Sequence, residues 1–177
     1  MRYKLGALVR LPIVLFFAYL LVRYIGDSSY RSIFDGVNYA VHEFGHVLFS
    51  FFGQTMHIAG GSIFEIIAPV IVMIGFLRQR DYFAVSFAFG WLATAFYNVA
   101  IYAADARAME LELIAPWAFG ADDVIHDWNY LLSYFNMLQY DSAVAFALRC
   151  MGLLSMVVCI VAGFWVICLM IRRKDED

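Results

Sequence analysis

Charge is scarce in this chain of 177 residues: Asp, Glu, Lys and Arg together make up 15% of it, whereas 64% of the residues are hydrophobic. Soluble domains are about half apolar. A domain of this size has too little interior volume to keep so much apolar surface away from water. The composition therefore excludes an ordinary soluble globule and predicts that membrane lipid covers most of the surface.

Cysteine is also sparse, and its three occurrences lie in one apolar run. Cys150, Cys159 and Cys168 are nine residues apart, a spacing that turns successive thiols to opposite faces of a helix. We therefore expect neither a cysteine zinc cluster nor a disulfide framework. The sequence also lacks a basic patch interleaved with aromatic residues, so we expect no nucleic-acid partner.

Five apolar segments approach the length of about 20 residues that a helix needs to cross a bilayer. No small-residue cleavage site follows the first of them, so we expect it to remain as an uncleaved span. The sequence thus predicts an all-α polytopic protein of the inner or plasma membrane, with a single membrane-embedded domain over 1–177. The predicted spans lie near residues 8–25, 33–52, 62–78, 82–104 and 142–171.

The stretch 105–141 differs from the other connections because it is long, polar and rich in acidic residues. Extended loops of this kind are often functional, so we expect it to contribute to a site. Residues 128–140 are rich in Trp, Tyr, Asn and Leu but too few to cross a bilayer. That composition predicts a helix lying at the membrane interface.

Basic residues flank both ends of the apolar region and leave the orientation open. Lys and Arg favour the cytoplasmic side of a membrane. Five spans would place the two ends on opposite sides, so the rule gives no orientation. The flanking residues are Arg2, Lys4 and Arg10 at one end and Arg172, Arg173 and Lys174 at the other.

The second apolar segment contains the pattern HExxH, as His42-Glu43-Phe44-Gly45-His46. Histidines four residues apart lie on one face of a helix, where both imidazoles can reach a single Zn²⁺. Zinc lowers the pKa of a bound water to near 7, and Glu43 beside it can accept the proton as general base. The motif therefore predicts a hydrolytic site with one Zn²⁺ per chain.

Two residues are candidates for the third zinc ligand. His126 lies in the acidic loop, with Asp127 beside it as a possible hydrogen-bonding partner of the ligand. Asp105 ends the fourth apolar segment, and a polar stripe with Asn98 and Tyr102 precedes it at helical spacing. Asn98 or Tyr102 could donate a hydrogen bond to an oxyanion. The sequence leaves His126 and Asp105 open as alternatives.

These residues resemble the site-2-protease class of membrane metallopeptidases, the M50-like peptidases. In that class HExxH lies in a membrane helix, and an aspartate on the second helix after it is the third ligand. Asp105 and Asn98 match that position loosely, although Ala106 and Arg107 replace the glycine that follows the family's aspartate. The resemblance implies cleavage of a transmembrane or membrane-adjacent peptide at a site that faces the cytosol.

Two alternatives from other classes remain. In the first, His42, Glu43 and His46 are buried polar residues of a catalytically silent membrane protein and serve helix packing or partner binding. In the second, the chain is a membrane di-iron enzyme, which usually needs more ligands than four histidines and the nearby carboxylates supply. Ionisable residues at hydrocarbon depth are usually functional, and this favours the zinc peptidase.

Overall fold

A computed structural model describes residues 2–111 and 125–172, and helix is the regular secondary structure of these ranges. Six α-helices follow one another, with short 3-10 turns at Ser50–Phe52 and Leu138–Tyr140. The predicted all-α membrane fold is confirmed. The helices are α1 (Arg2–Gly26), α2 (Asp35–Phe49), α3 (Gln54–Arg78), α4 (Tyr82–Ala104), α5 (Asp127–Tyr134) and α6 (Asp141–Arg172).

Among the described residues, four helical segments are long and apolar enough to cross a membrane, one fewer than the five expected. They comprise Leu5–Gly26, Gln54–Arg78, Tyr82–Ala104 and Leu138–Arg172. The difference lies in the predicted span 33–52, where α2 has 15 residues and is therefore only about 22 Å long. A second difference is that α3 begins eight residues before the predicted start at 62, so it includes His57.

The four long helices alternate in direction. The N-terminal part of α1 meets the C-terminal part of α6, where Ala7 and Val14 cluster with Ile167. At the other end of α1, the ring of Tyr24 stacks on that of Tyr97 in α4, with centroids 4.1 Å apart. We call the end that carries the tight α3–α4 turn the turn end, and the opposite end, which carries the long connection 105–137, the loop end.

Helix α2 begins inside the bundle rather than at its surface. Phe34, just before α2, packs on Phe17 in the middle of α1 and on Phe87 of α4, with ring centroids 5.8 and 6.2 Å away. One turn into α2, Asn38 accepts a hydrogen bond from the Trp91 indole and donates one to the Thr94 hydroxyl. The chain therefore enters from the loop end, turns in the interior and returns to the same end, as a re-entrant segment.

Glycines bring α2 and α3 into backbone contact. A Cβ atom at Gly45 would collide with the backbone carbonyl of Gly60, and one at Gly60 would lie 2.8 Å from the carbonyl oxygen of Gly45. Both residues are buried. Because side chains larger than hydrogen cannot fit here, these glycines set the close spacing of the two helices.

The described part of the polar loop forms α5, which is shorter than the predicted interfacial helix over 128–140. The Trp128 indole donates to the Ser62 hydroxyl of α3, and the Asn129 amide donates to the Ala106 carbonyl. These contacts dock α5 against the loop ends of α3 and α4. Residues 112–124 of the predicted site loop lie outside the described residues.

Replacing Gly45 should separate α2 from α3. Gly45→Ala adds a methyl group against the Gly60 backbone, which cannot move aside as a flexible side chain would, so we expect a loss of about 1–3 kcal/mol. Gly36→Ala is the matched control in α2, because a Cβ at Gly36 meets nothing within 4 Å. Thermal unfolding in detergent measures both. Equal melting temperatures for Gly45→Ala and wild type would contradict the close contact.

Candidate metal centre

Three donor side chains converge where α2, α3 and α5 meet. His42, His46 and Asp127 each offer a ligand atom, and these atoms all lie within 4.8 Å of one another. The Asp127 Oδ2 atom is 3.0 Å from His42 Nε2 and 3.2 Å from His46 Nε2. Donor atoms of a tetrahedral zinc shell with bonds of about 2.0–2.1 Å are themselves roughly 3.3 Å apart. The spacing fits a shared metal ion.

The far nitrogens of both histidines are already engaged. His46 Nδ1 lies 2.8 Å from the backbone carbonyl of His57, which can only accept, so Nδ1 carries the proton. His42 Nδ1 lies 3.1 Å from Glu65 Oε2, a carboxylate that is buried at 1% exposure. The His57 carbonyl thereby favours the His46 tautomer whose Nε2 lone pair is free for a metal. A proton on His42 Nδ1, shared with Glu65, would leave His42 Nε2 free in the same way.

A cation between the near nitrogens and Asp127 would satisfy all three groups. With His46 Nδ1 protonated, its neutral Nε2 atom is an acceptor that faces a carboxylate, which is also an acceptor. His42 has a carboxylate at each ring nitrogen. Burial alone would lower the pKa of His42, but Asp127 and Glu65 outweigh it and raise the pKa well above the ordinary histidine value. The donor set therefore suits Zn²⁺.

The absence of a side chain at Gly61 keeps the space beside the donors open. A Cβ atom there would lie 2.5 Å from His42 Nε2 and 2.7 Å from His46 Nε2. Even an alanine would thus intrude on both donor nitrogens. Glycine at this position of α3 preserves a cradle into which the two imidazoles point.

The third donor differs from both of the sequence candidates. His126 and Asp105 bind each other, with His126 Nε2 3.1 Å from Asp105 Oδ2. His126 Nδ1 accepts from the Asn129 backbone N–H and caps the N-terminus of α5. Asp127, expected only as a partner of the ligand, is the residue that faces His42 and His46. The two candidates therefore support the helix that presents the third donor.

Asn98 and Tyr102 also lie beside the donors rather than in a free oxyanion pocket. The Asn98 amide donates to Glu65 Oε1 at 2.8 Å, and its own oxygen accepts from Arg31. The Tyr102 hydroxyl accepts from the Asp127 backbone N–H at 3.0 Å. Asn98 thus helps to hold the carboxylate behind His42, and Tyr102 helps to hold Asp127.

Glu65 is the residue whose role the sequence did not reveal. It lies 19 residues after His46 in an apolar helix, with Pro69 four residues later. Its signal was a single carboxylate at hydrocarbon depth, where burial is costly without a partner. Only the fold shows that this partner is His42.

Glu43 lies beside the donors without being one of them. It is half-buried in α2, close enough to the histidines and Asp127 for their charges to act on it, and it hydrogen-bonds Tyr39. Burial raises the pKa of Glu43 above its ordinary value, whereas for Asp127 the histidine hydrogen bonds overcome burial and lower the pKa. Glu43 is therefore the better proton acceptor of these two carboxylates.

Comparisons with known proteins found no match: no family model fits the chain, and neither the curated proteins nor the solved structures contain a similar one.

Removing the third donor should abolish zinc binding. We expect Asp127→Ala to retain only a small fraction of the wild-type zinc, because two imidazoles alone leave the ion under-coordinated. Zinc per chain is measured by elemental analysis of protein purified in detergent. Asp27→Ala, at a fully exposed aspartate of the same end of the bundle, is the control and should keep its zinc. Full zinc in Asp127→Ala would remove Asp127 from the set.

Weakening the carboxylate behind His42 should lower zinc affinity without abolishing binding. Glu65→Gln keeps the shape of the side chain but removes the charge that orients and polarises the His42 ring. Such partners are worth about 10–100-fold in metal affinity. Competition with a chelator of known zinc affinity measures the effect, with Glu110→Gln, an exposed glutamate, as control. An unchanged affinity would show that Glu65 does not tune the site.

Proposed function

We propose that this protein is a zinc-dependent, membrane-embedded endopeptidase that hydrolyses a transmembrane or membrane-adjacent peptide. The observation that carries the proposal is the convergence of His42, His46 and Asp127, with Glu43 of the same HExxH motif at their side. His42 and His46 would bind the metal through Nε2, and Asp127 through a carboxylate oxygen.

The metal and Glu43 would have different roles in the hydrolysis. Zinc, when bound, would polarise a substrate carbonyl and supply a water that is acidic near neutral pH. Glu43 takes the proton of the attacking water and returns it to the leaving amine, so that atoms and charge balance over the hydrolysis. Glu43 must both accept and donate a proton, and burial raises its pKa above the ordinary glutamate value, the direction that favours this double role.

The position of the motif supports a membrane substrate. Helix α2 exposes an apolar face, so a peptide that approaches it must come from lipid or from the membrane surface. The exposed residues of this face include Val37, Phe44, Val47 and Leu48. A soluble peptidase would instead present its HExxH helix to an aqueous cleft.

The proposal keeps the resemblance to M50-like peptidases and changes one element of it. The HExxH helix and a later aspartate are retained, but the aspartate is Asp127 on the short helix α5 instead of Asp105 at the end of α4. The centre would thus be a variant in which a re-entrant helix and a docked loop helix close the metal shell.

A catalytically silent membrane protein is the second candidate, and one observation favours it. The donors bind one another and Glu65 across three helices, an arrangement that would also serve to join helices. In that case Glu43, which joins none of these contacts to α3 or α5, would be dispensable.

Glu43→Gln separates the two candidates. We expect cleavage to fall by about 10²- to 10⁴-fold, because the variant lacks the proton acceptor, while zinc content and melting temperature stay at wild-type values. The assay compares the N termini of membrane proteins in the native host expressing wild type, Glu43→Gln or the control Glu110→Gln.

New N termini that appear with wild type and Glu110→Gln but not with Glu43→Gln would support the peptidase. Identical N termini in all three samples, with the protein folded and loaded with zinc, would instead favour the silent membrane protein.

A further inference from the structure

Because α2 is re-entrant, the N-terminal end of α1 and the C-terminal end of α6 lie at the same end of the bundle. Because the segment 27–53 enters and leaves at the loop end, the crossing segments among the described residues are the four long helices. Helix α1 begins at the turn end, where Gly6 lies beside Met170 near the close of α6. The N-terminal end of α1 and the C-terminal end of α6 therefore lie at the same side of the membrane, together with the α3–α4 turn.

Basic residues concentrate on that side. Eight of the twelve Lys and Arg residues belong to the turn end or to the sequence that continues from it. The other four are Arg23 near the loop end of α1, Arg31 and Arg107 in the two connections at the loop end (27–53 and 105–137), and Arg149 inside α6. Arg107 is paired with Asp141 at 2.6 Å. The eight are Arg2, Lys4, Arg10, Arg78, Arg80 and Arg172 in the helices and the turn of the turn end, and Arg173 and Lys174 in the sequence that follows α6.

Lys and Arg in short connections determine which side of a helical membrane protein stays in the cytoplasm, whereas Asp and Glu contribute little. We propose that the turn end is cytoplasmic and that His42, His46 and Asp127 open to the non-cytoplasmic side of the membrane. This is the reverse of the orientation that the resemblance to M50-like peptidases implies.

The depth of the donors specifies the substrate, and this step rests on the proposed peptidase function. Gly61, which touches both donor imidazoles, is seven residues from the start of α3 and 17 from its end. At 1.5 Å per residue, the donors lie about 10 Å from the loop end and about 25 Å from the turn end. The substrate is therefore a membrane-protein segment at the non-cytoplasmic surface of the bilayer.

Cysteine accessibility tests the orientation without requiring zinc or activity. Ser29→Cys introduces an exposed thiol at the loop end, and Gln79→Cys introduces one in the exposed turn between α3 and α4. Intact cells are treated with a membrane-impermeant sulfonated maleimide before and after permeabilisation. The wild-type chain, with its three natural cysteines in α6, supplies the background.

We expect Ser29→Cys to react in intact cells and Gln79→Cys only after permeabilisation. The reverse pattern, or reaction of both thiols in intact cells, would overturn the orientation. Carrying the same cysteines on the Glu43→Gln chain must give the same labelling, since orientation does not depend on hydrolysis.

The cleavage sites test the substrate class separately. The N termini that depend on Glu43 should map to non-cytoplasmic segments close to predicted spans of their proteins. Sites in cytoplasmic segments would overturn this assignment. Labelling as expected but no cleavage dependent on Glu43 would leave the orientation in place and remove the peptidase proposal.

Discussion

The arrangement of this protein depends on a constraint at His42: a buried imidazole lies between two carboxylates, and each of its nitrogens must find a partner. Glu65 faces Nδ1 and Asp127 faces Nε2, so one ring from α2 is tied to α3 and to α5. In a medium of low dielectric, unpaired polar groups are costly, and their pairing correspondingly fixes geometry. His46 adds a second ring to the same carboxylate. Helices α2, α3 and α5 must therefore meet at His42, and the packing of the other helices is compatible with this meeting.

Helix α2, which carries His42, Glu43 and His46, lies in the bundle without crossing the membrane. The short α2 starts at the level of Phe17, and one turn later its buried Asn38 accepts a hydrogen bond from Trp91 and donates one to Thr94. Non-helical backbone at membrane depth is tolerated where its polar groups find partners. Just before α2, the backbone N–H and the hydroxyl of Ser32 both donate to the Asp35 carboxylate. Glycines then bring α2 against α3 closely enough for both imidazoles to reach over Gly61. The close contact of α2 with α3 is thus what gives the two imidazoles their positions.

Local sequence patterns predict the crossing helices and two of the three donors, whereas the course of α2 and the identity of the third donor depend on long-range contacts. Apolar runs predicted four crossing helices well, because length and hydropathy decide insertion, but the run at 33–52 was read as a fifth span. Its failure to cross depends on contacts of Phe34 and Asn38 with residues more than 50 positions away in α4. The HExxH spacing placed His42 and His46 on one face correctly. Choosing among Asp105, His126 and Asp127 was beyond sequence reasoning, because α5 is an eight-residue helix held by tertiary contacts.

Those same contacts explain why Asp105 and His126 looked like ligands. They are hydrogen-bonded to each other, and Asp105 also accepts hydrogen bonds from the backbone N–H groups of Glu110 and Leu111. An ionisable pair that closes the end of α4 and caps α5 determines where the first residue of α5 lies, and that residue is Asp127. A side chain that positions a donor needs the same chemistry as the donor itself, because both must hold a proton or a charge in a fixed direction. In this chain, adjacent donor-type residues in one loop therefore indicated the neighbourhood of the candidate site, whereas long-range contacts decide which of them faces His42 and His46.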